Sequence, residues 1–225
     1  MTTATLRPGA AALAPLTPPP PPPPAVRPAR DGEEEPLART LAAAFHDDAL
    51  MRWAFPDGAH RARVLPAFFR VHLAQCLAHD GVMTTDALDG ALLFLPPGVW
   101  ENPARRDTGA ARALDRAVDT AAHPEAAHRL AAITRLQQRR HPVHRPHYYL
   151  AFIGVRPVTR HTRTAAALLA AVTARIDADG QAAYAETSSP GGAHLCATHG
   201  FTRFGEAIAL PGGGPRLRPM WRGPR

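Results

Sequence analysis

Lysine is absent from this sequence: all 26 basic side chains are arginine, set against 19 carboxylates for a net charge of +7. With the excess of alanine and proline, this reads in part as the compositional bias of a GC-rich genome. The charge that remains favours anionic partners such as phosphates, nucleotides or RNA. A solvated basic surface is the plain alternative. Cysteine is scarce as well. The two present, Cys76 and Cys196, build no disulfide framework, which points to a reduced, cytoplasmic setting. Long apolar runs are missing, because even "ALLFLPPGVW" is cut by two prolines, so no membrane partner is expected. The opening "MTTATLRPGAAALAPLTPPPPPPPAVRPAR" lacks the continuous apolar core and compact cleavage site of a secretory signal. No internal repeat is visible.

What is present divides into a tail and one domain. Residues 1–30 contain seven consecutive prolines at 18–24, a polyproline II spacer with no core of its own. It is expected to be disordered, and an SH3-type ligand is its sharper reading. Residues 31–225, with 45% apolar residues over the chain, are expected to form a single domain. Glu33, Glu34 and Glu35 suit the positive end of a first helix. Residues 37–79 show helical periodicity through Leu41, Phe45, Val64, Phe68, Val71 and Leu73, with Pro66 expected in the first turn of its helix. Short strands follow at "GVMTT" and "GALLFLPPG", then arginine-studded helices over 103–140. "HYYLAFIGV" is apolar on both faces and belongs in mid-sheet. The next helix buries Leu168, Leu169, Val172 and Ile176 and ends before Gly180. "AAYAET" is another strand, "GGAHLCATHG" a short helix, and "FTRFGEAIAL" with "RLRPMWR" a closing hairpin. The fold class is therefore mixed α/β (α+β).

Between that central strand and its helix lies "VRPVTRHTRTA", a turn with no glycine. The first amides of a helix attract phosphate. Close wrapping of a pyrophosphate usually needs glycine, often in a left-handed conformation that costs other residues about 1–2 kcal/mol. Here the turn offers Arg160, His161, Thr162, Arg163, Thr164 and Ala165. Arg163 either fills the phosphate space with its bulk or binds an anion directly, with Arg160 beside it.

"RTLAAAF", "YYLAFIGVRP", "AYAETS", "HGF" and "LPGGGPRLRPMWR" occur in an order and spacing that resembles the GNAT superfamily of N-acetyltransferases over almost the whole folded region. The resemblance implies a GNAT-like acyltransferase fold, a mixed central sheet with splayed middle strands flanked by helices. It implies acetyl-CoA or another acyl-CoA as donor, its pantetheine arm lying along the backbone of Ile153 and Val155. It also implies that Arg160 and Ala165 take the first and last positions of the family's pyrophosphate motif. Arg163 stands at the motif's middle glycine. Gly192 and Cys196 stand where the family carries an asparagine that steadies the cofactor and a tyrosine that protonates the leaving thiolate. These three departures put the donor in question.

The catalytic candidates are Glu186, Cys196 and Ser188. An ammonium has no lone pair with which to attack, so acyl transfer to an amine needs a base, and Glu186 at a strand end suits that task. Its plain alternative is a carboxylate bracing a turn or an arginine. Cys196 is either a substitute acid, a nucleophile paired with His194 or His199, or a core residue. Ser188 and Ser189 bind substrate or cap the following helix. His141, His144 and His147 recur at three-residue intervals, but the prolines between them break the helix that would align them, and no metal is expected. The leading function is N-acyl transfer to the primary amine of a small molecule, by resemblance an antibiotic-like aminonucleoside, in resistance or biosynthetic tailoring. Two alternatives stand beside it: an aminoacyltransferase fed by aminoacyl-tRNA, and a binding protein or repurposed catalyst that has lost CoA. A homodimer is left open.

Overall fold

A computed structural model describes residues 22–100, 102, 108–119, 121–159 and 163–225. In chain order the elements are β1 (Val26–Pro28), α1 (Glu34–Phe45), α2 (Ala49–Ala54), α3 (Gly58–Leu77), β2 (Val82–Thr85) and β3 (Gly90–Leu95). They continue with α4 (Thr108–Val118), α5 (Pro124–Arg140), β4 (His147–Val155), a short 3-10 turn (Pro157–Thr159), α6 (Thr164–Ala178) and β5 (Ala182–Thr187). The closing elements are α7 (Pro190–Thr198), β6 (Thr202–Arg203), β7 (Ile208–Ala209) and β8 (Arg216–Arg222). Local chemistry starts several helices. Asp48 accepts from the amides of Leu50 and Met51 at 2.8 and 3.3 Å, and Asp57 from that of His60 at 2.6 Å. Pro124 and Pro190 sit in the opening turns of α5 and α7, where a missing N–H costs nothing.

The sheet runs β1-β2-β3-β4-β5-β8-β6, with β7 paired to β8 off that path. Every pairing is antiparallel except β4 with β5, which α6 joins as the crossover that a parallel pair requires. Two cores lie on the two sheet faces. The first gathers Leu37, Leu41, Phe55, Leu65, Phe69, Leu93, Tyr149 and Tyr184 beneath α1, α2 and α3. The second gathers Leu92, Phe94, Leu150, Leu168, Leu169, Val172, Ile176 and Cys196 beneath α6 and α7.

Two irregularities in β4 shape everything that follows. Leu93 pairs with Phe152 but Phe94 pairs with Leu150, so Ala151 is an extra residue on β4. Such a bulge reverses the alternation of side chains. Tyr149 and Phe152 consequently serve the same core, while Tyr148, Leu150, Ile153 and Val155 serve the other. The parallel pairing with β5 also stops at Leu150↔Ala185, although both strands continue. The stretch 151–155 keeps β3 on one side and has lost β5 on the other. A wedge opens there, as the expected splay requires.

One expectation needs correction. Pro66 lies deep within α3, not in its first turn, because Asp57 starts that helix well upstream. The acidic run does meet the start of α1, with Glu34 and Glu35 in its first turn, while the flanking Glu33 carboxylate accepts from Arg27 at 2.8 and 2.9 Å and from the Arg30 amide at 2.8 Å, which holds the Glu33 carboxyl down at about 2. The ordered sheet begins at Val26, since β1 pairs with β2 through Val26↔Thr85, ahead of the boundary expected at residue 31. Residues 1–21, with most of the proline run, lie outside the described residues.

Helix α1 reaches β4 at Gly154, where an added Cβ would stand 2.8 Å from the Phe45 ring, 3.0 Å from the Ala44 Cβ and 3.1 Å from Leu41. Gly154→Ala should therefore lower unfolding free energy by about 1–3 kcal/mol, read from urea denaturation with an unchanged m-value.

Candidate active site

Glu186 is the first residue of β5 beyond the last β4 pair, so it stands where the two strands part. Alternation along the strand puts Tyr184 on its side, and the Tyr184 hydroxyl donates to Glu186 Oε1 at 2.8 Å. From the last turn of α5, Gln137 Nε2 donates to Oε2 at 2.6 Å. The same nitrogen lies 3.4 Å from the Tyr149 hydroxyl. Burial pushes the Glu186 carboxyl above its ordinary range, and the bonds from Gln137 and Tyr184 oppose that rise without cancelling it. Both phenols are pushed up as well, chiefly by burial and then by the carboxylate beside them. They remain protonated donors at every physiological pH.

An aromatic wall backs this carboxylate. The His141 ring stacks on Trp100 at 4.9 Å and meets Tyr149 and Tyr184 edge-on at 5.1 and 5.0 Å. Phe204 stacks on Trp221 at 5.4 Å and turns its edge to Tyr184. His147 Nδ1 lies 2.8 Å from the Arg145 carbonyl, which can only accept, so that nitrogen carries the proton. Its Nε2 then faces His141 Nε2 at 2.9 Å. His144 is exposed and outside this pair. Among the described residues no group of three or more His, Cys, Asp or Glu side chains is arranged to hold a metal ion.

The other candidates fall in different places. Ser188 donates to Asp48 Oδ2 at 2.8 Å, tying the end of β5 to the α1–α2 loop beside the wedge. Ser189 caps α7, accepting from the Gly192 amide at 3.1 Å. Cys196 is 4% exposed in the second core, and burial pushes its thiol up to about 11. That protonation state and location do not fit a nucleophile, and neither histidine offered as its partner is joined to it: His199 Nδ1 lies against the Leu195 carbonyl at 2.9 Å, and His194 is exposed. Cys196 is a core residue.

At the start of α6, Arg163 is the flanking residue, with φ −79° and ψ 12°. This is bridge-region backbone with a negative φ, so the left-handed strain expected of a glycine-free turn does not arise at this position. Its side chain is exposed, Thr164 is buried, and Ala165 is half-buried in the first turn. Arg160, His161 and Thr162 lie outside the described residues. Ile153 and Val155 line the unpaired edge of β4 and pack half-buried against the second core. Sequence reasoning missed Gln137, Tyr149 and Tyr184. Tyr184 was legible in principle, two residues before Glu186 on one strand; Gln137, 49 positions away, carries no local signal.

This architecture has known counterparts. It is similar to a solved structure described as histone acetyltransferase HPA2 and related acetyltransferase from Corynebacterium glutamicum, with TM-score 0.63 at 23% identity over 90% of this chain and 97% of that one. It is similar to the Drosophila melanogaster polyamine N-acetyltransferase, with TM-score 0.53 at 17% identity over 88% of this chain and 99% of that one. It is similar also to arylalkylamine N-acetyltransferase 2 from Aedes aegypti, with TM-score 0.53 at 10% identity over 89% and 99% of the two chains. No protein-family model and no curated protein sequence matches the chain. The likeness is one of fold, and the fold is the GNAT-like one that the sequence resemblance implies.

Two measurements follow. A buried acid whose pKa is raised on folding stabilises the native state fully below its unfolded value, and that contribution is lost as pH rises through the raised folded value. Glu186→Gln should therefore melt at least as high as the wild type at pH 7, with the difference shrinking toward pH 4 in parallel thermal melts. Cys76, whose thiol burial pushes up to about 12, and Cys196 should both resist iodoacetamide in native protein at pH 7 and react on unfolding, as counted by mass spectrometry.

Proposed function

We propose that this chain is an N-acyltransferase that moves an acyl group, acetyl by default, from acyl-CoA to the primary amine of a small molecule. The observation that carries the reading is the position of Glu186: an ionisable, largely desolvated carboxylate at the point where β4 and β5 separate. Solved structures of this fold include enzymes described as polyamine and arylalkylamine N-acetyltransferases, which supports an amine acceptor here.

The residues present fit such a donor. The unpaired edge of β4 over 151–155 offers backbone groups to an extended arm, with Ile153 and Val155 nearest, in the way a missing strand would be replaced. The α6 N-terminus beyond it, with the exposed guanidinium of Arg163, suits phosphate. When bound, acyl-CoA would supply an activated thioester carbonyl and, as its C–S bond gives way to the new C–N bond, would leave as the free thiol with the second proton lost by the amine nitrogen. The chain's own contribution is proton handling. A substrate ammonium gives its proton to a Glu186 oxygen, and the freed lone pair makes the nitrogen nucleophilic. Tyr184 and Gln137 hold the carboxylate still while this happens. The wall of Trp100, Tyr149, Tyr184 and Phe204 limits water around it. Such an enzyme works where acyl-CoA is held, in the cytoplasm, and no helix among the described residues is long and apolar enough to cross a membrane. An antibiotic-like aminonucleoside is the acceptor we favour.

The test is direct. Purified chain with acetyl-CoA and a panel of spermidine, phenylethylamine and puromycin should yield an acetylated amine by mass spectrometry, with acetyl-CoA raising the melting temperature saturably. Glu186→Gln should lower kcat/KM by about 10²–10⁴-fold. Because the base must be ionised, activity should rise with pH through the raised Glu186 pKa. No thermal shift and no product with acetyl-CoA would overturn the donor, and product formed from aminoacyl-tRNA instead would reassign it.

A further inference from the structure

We propose that Gln137 is a positioning residue: its side-chain amide, held between Glu186 and the Tyr149 hydroxyl, clasps the Glu186 carboxyl in both of its protonation states. This rests on reading Glu186 as the proton acceptor, and the test below lets the two fail separately.

The clasp begins with the backbone. Gln137 lies in the last turn of α5, where its carbonyl accepts the closing helical bond from the His141 amide at 2.8 Å. The next residue to face the same side, His141, is packed among Trp100, Tyr149 and Tyr184. Further back, Ala132 and Ile133 are buried, and Arg129 donates to the Trp53 carbonyl. The Cα of Gln137 is thus set by both ends of a packed helix, and a side chain of three rotatable bonds is held at its tip by two partners.

The chemistry of those partners orients the amide. An ionised carboxylate can only accept, so the 2.6 Å contact with Oε2 must be made by an N–H. The second hydrogen on Nε2 is directed at the Tyr149 hydroxyl at 3.4 Å. Tyr184 serves the other carboxylate oxygen at 2.8 Å. Each oxygen then accepts one bond from the protein and keeps a lone pair for an incoming proton. When the ammonium N–H bond breaks and an O–H forms on Glu186, the electron pair stays on nitrogen and the carboxyl becomes a donor. An amide turned end for end meets that donor with its oxygen, and the Tyr149 hydroxyl, able to donate as well as accept, follows it. Few side chains offer both faces at one length. Leucine offers neither, and asparagine is a methylene short.

The experiment uses full-length protein carrying 13C at the glutamate carboxyl carbon, with the Glu186 resonance identified by its loss in Glu186→Gln. In Gln137→Leu the midpoint of that resonance should move up by about half a pH unit to one, because the charge-assisted bond lost from the ionised form is about twice as strong as the neutral bond lost from the protonated form. The acid limb of kcat should move with it. Gln137→Asn carries the same expectation and stands in if the leucine variant fails to fold. An unmoved midpoint in a folded variant, by near-UV circular dichroism, would overturn the proposal and leave Gln137 a packing residue. A moved midpoint in a protein that acetylates none of the amines would sink the acyltransferase reading and leave the clasp standing.

Discussion

A parallel strand pair that starts together and ends apart governs this molecule. Over 147–150, β4 bonds to β5 in regular register; beyond Leu150 the pairing is gone, yet β4 still holds β3 through Gly90↔Val155. Leaving half of a central strand's backbone without a neighbour is costly unless something else takes those groups. The extra residue at Ala151 sits at the same level as the divergence. It sends Phe152 and Tyr149 into one core and Ile153 and Val155 into the other, so each side of the opening is anchored in packed side chains.

Electrostatics is organised around that opening. The chain carries a net charge of +7, but the group at the fork is a carboxylate bonded to neutral donors rather than to arginine. An arginine partner would hold Glu186 ionised and too weak a base to compete for an ammonium proton. Neutral amide and phenol donors stabilise the charge only partly. Elsewhere the arginines are used structurally: Arg222, buried, makes two bonds to Asp177 at 2.5 and 2.7 Å and holds the Asp177 carboxyl below its ordinary range.

How much of this was readable in advance depends on range. Central strand β4 was legible because "HYYLAFIGV" is apolar on both faces, and α6 because its apolar spacing ends cleanly ahead of a positive-φ glycine at Gly180. Glu186 was legible because a carboxylate at the end of an otherwise apolar strand is chemically conspicuous. The bulge was not, since a reversal of alternation is invisible where neither face is polar. Gln137 was not, because nothing local distinguishes it from Gln138 next to it. Pro66 misled through a sound rule applied at the wrong place: the helix began earlier than its apolar stripe. Cys196 drew attention by its chemistry, but it lies buried in the same core as Leu168, Leu169 and Phe201.

The strand that completes this sheet comes late. Pro219 of β8 lies opposite Glu186, and β8 pairs with β5 from Ala183↔Arg222 to Thr187↔Arg218 while also carrying β6 and β7. Until residues 216–222 have left the ribosome, the strand bearing the proposed base is a bare edge, with Tyr184 and Trp221 not yet packed together. Between the synthesis of β5 and that of β8 the nascent chain therefore passes through a stage in which this edge is open to misassembly.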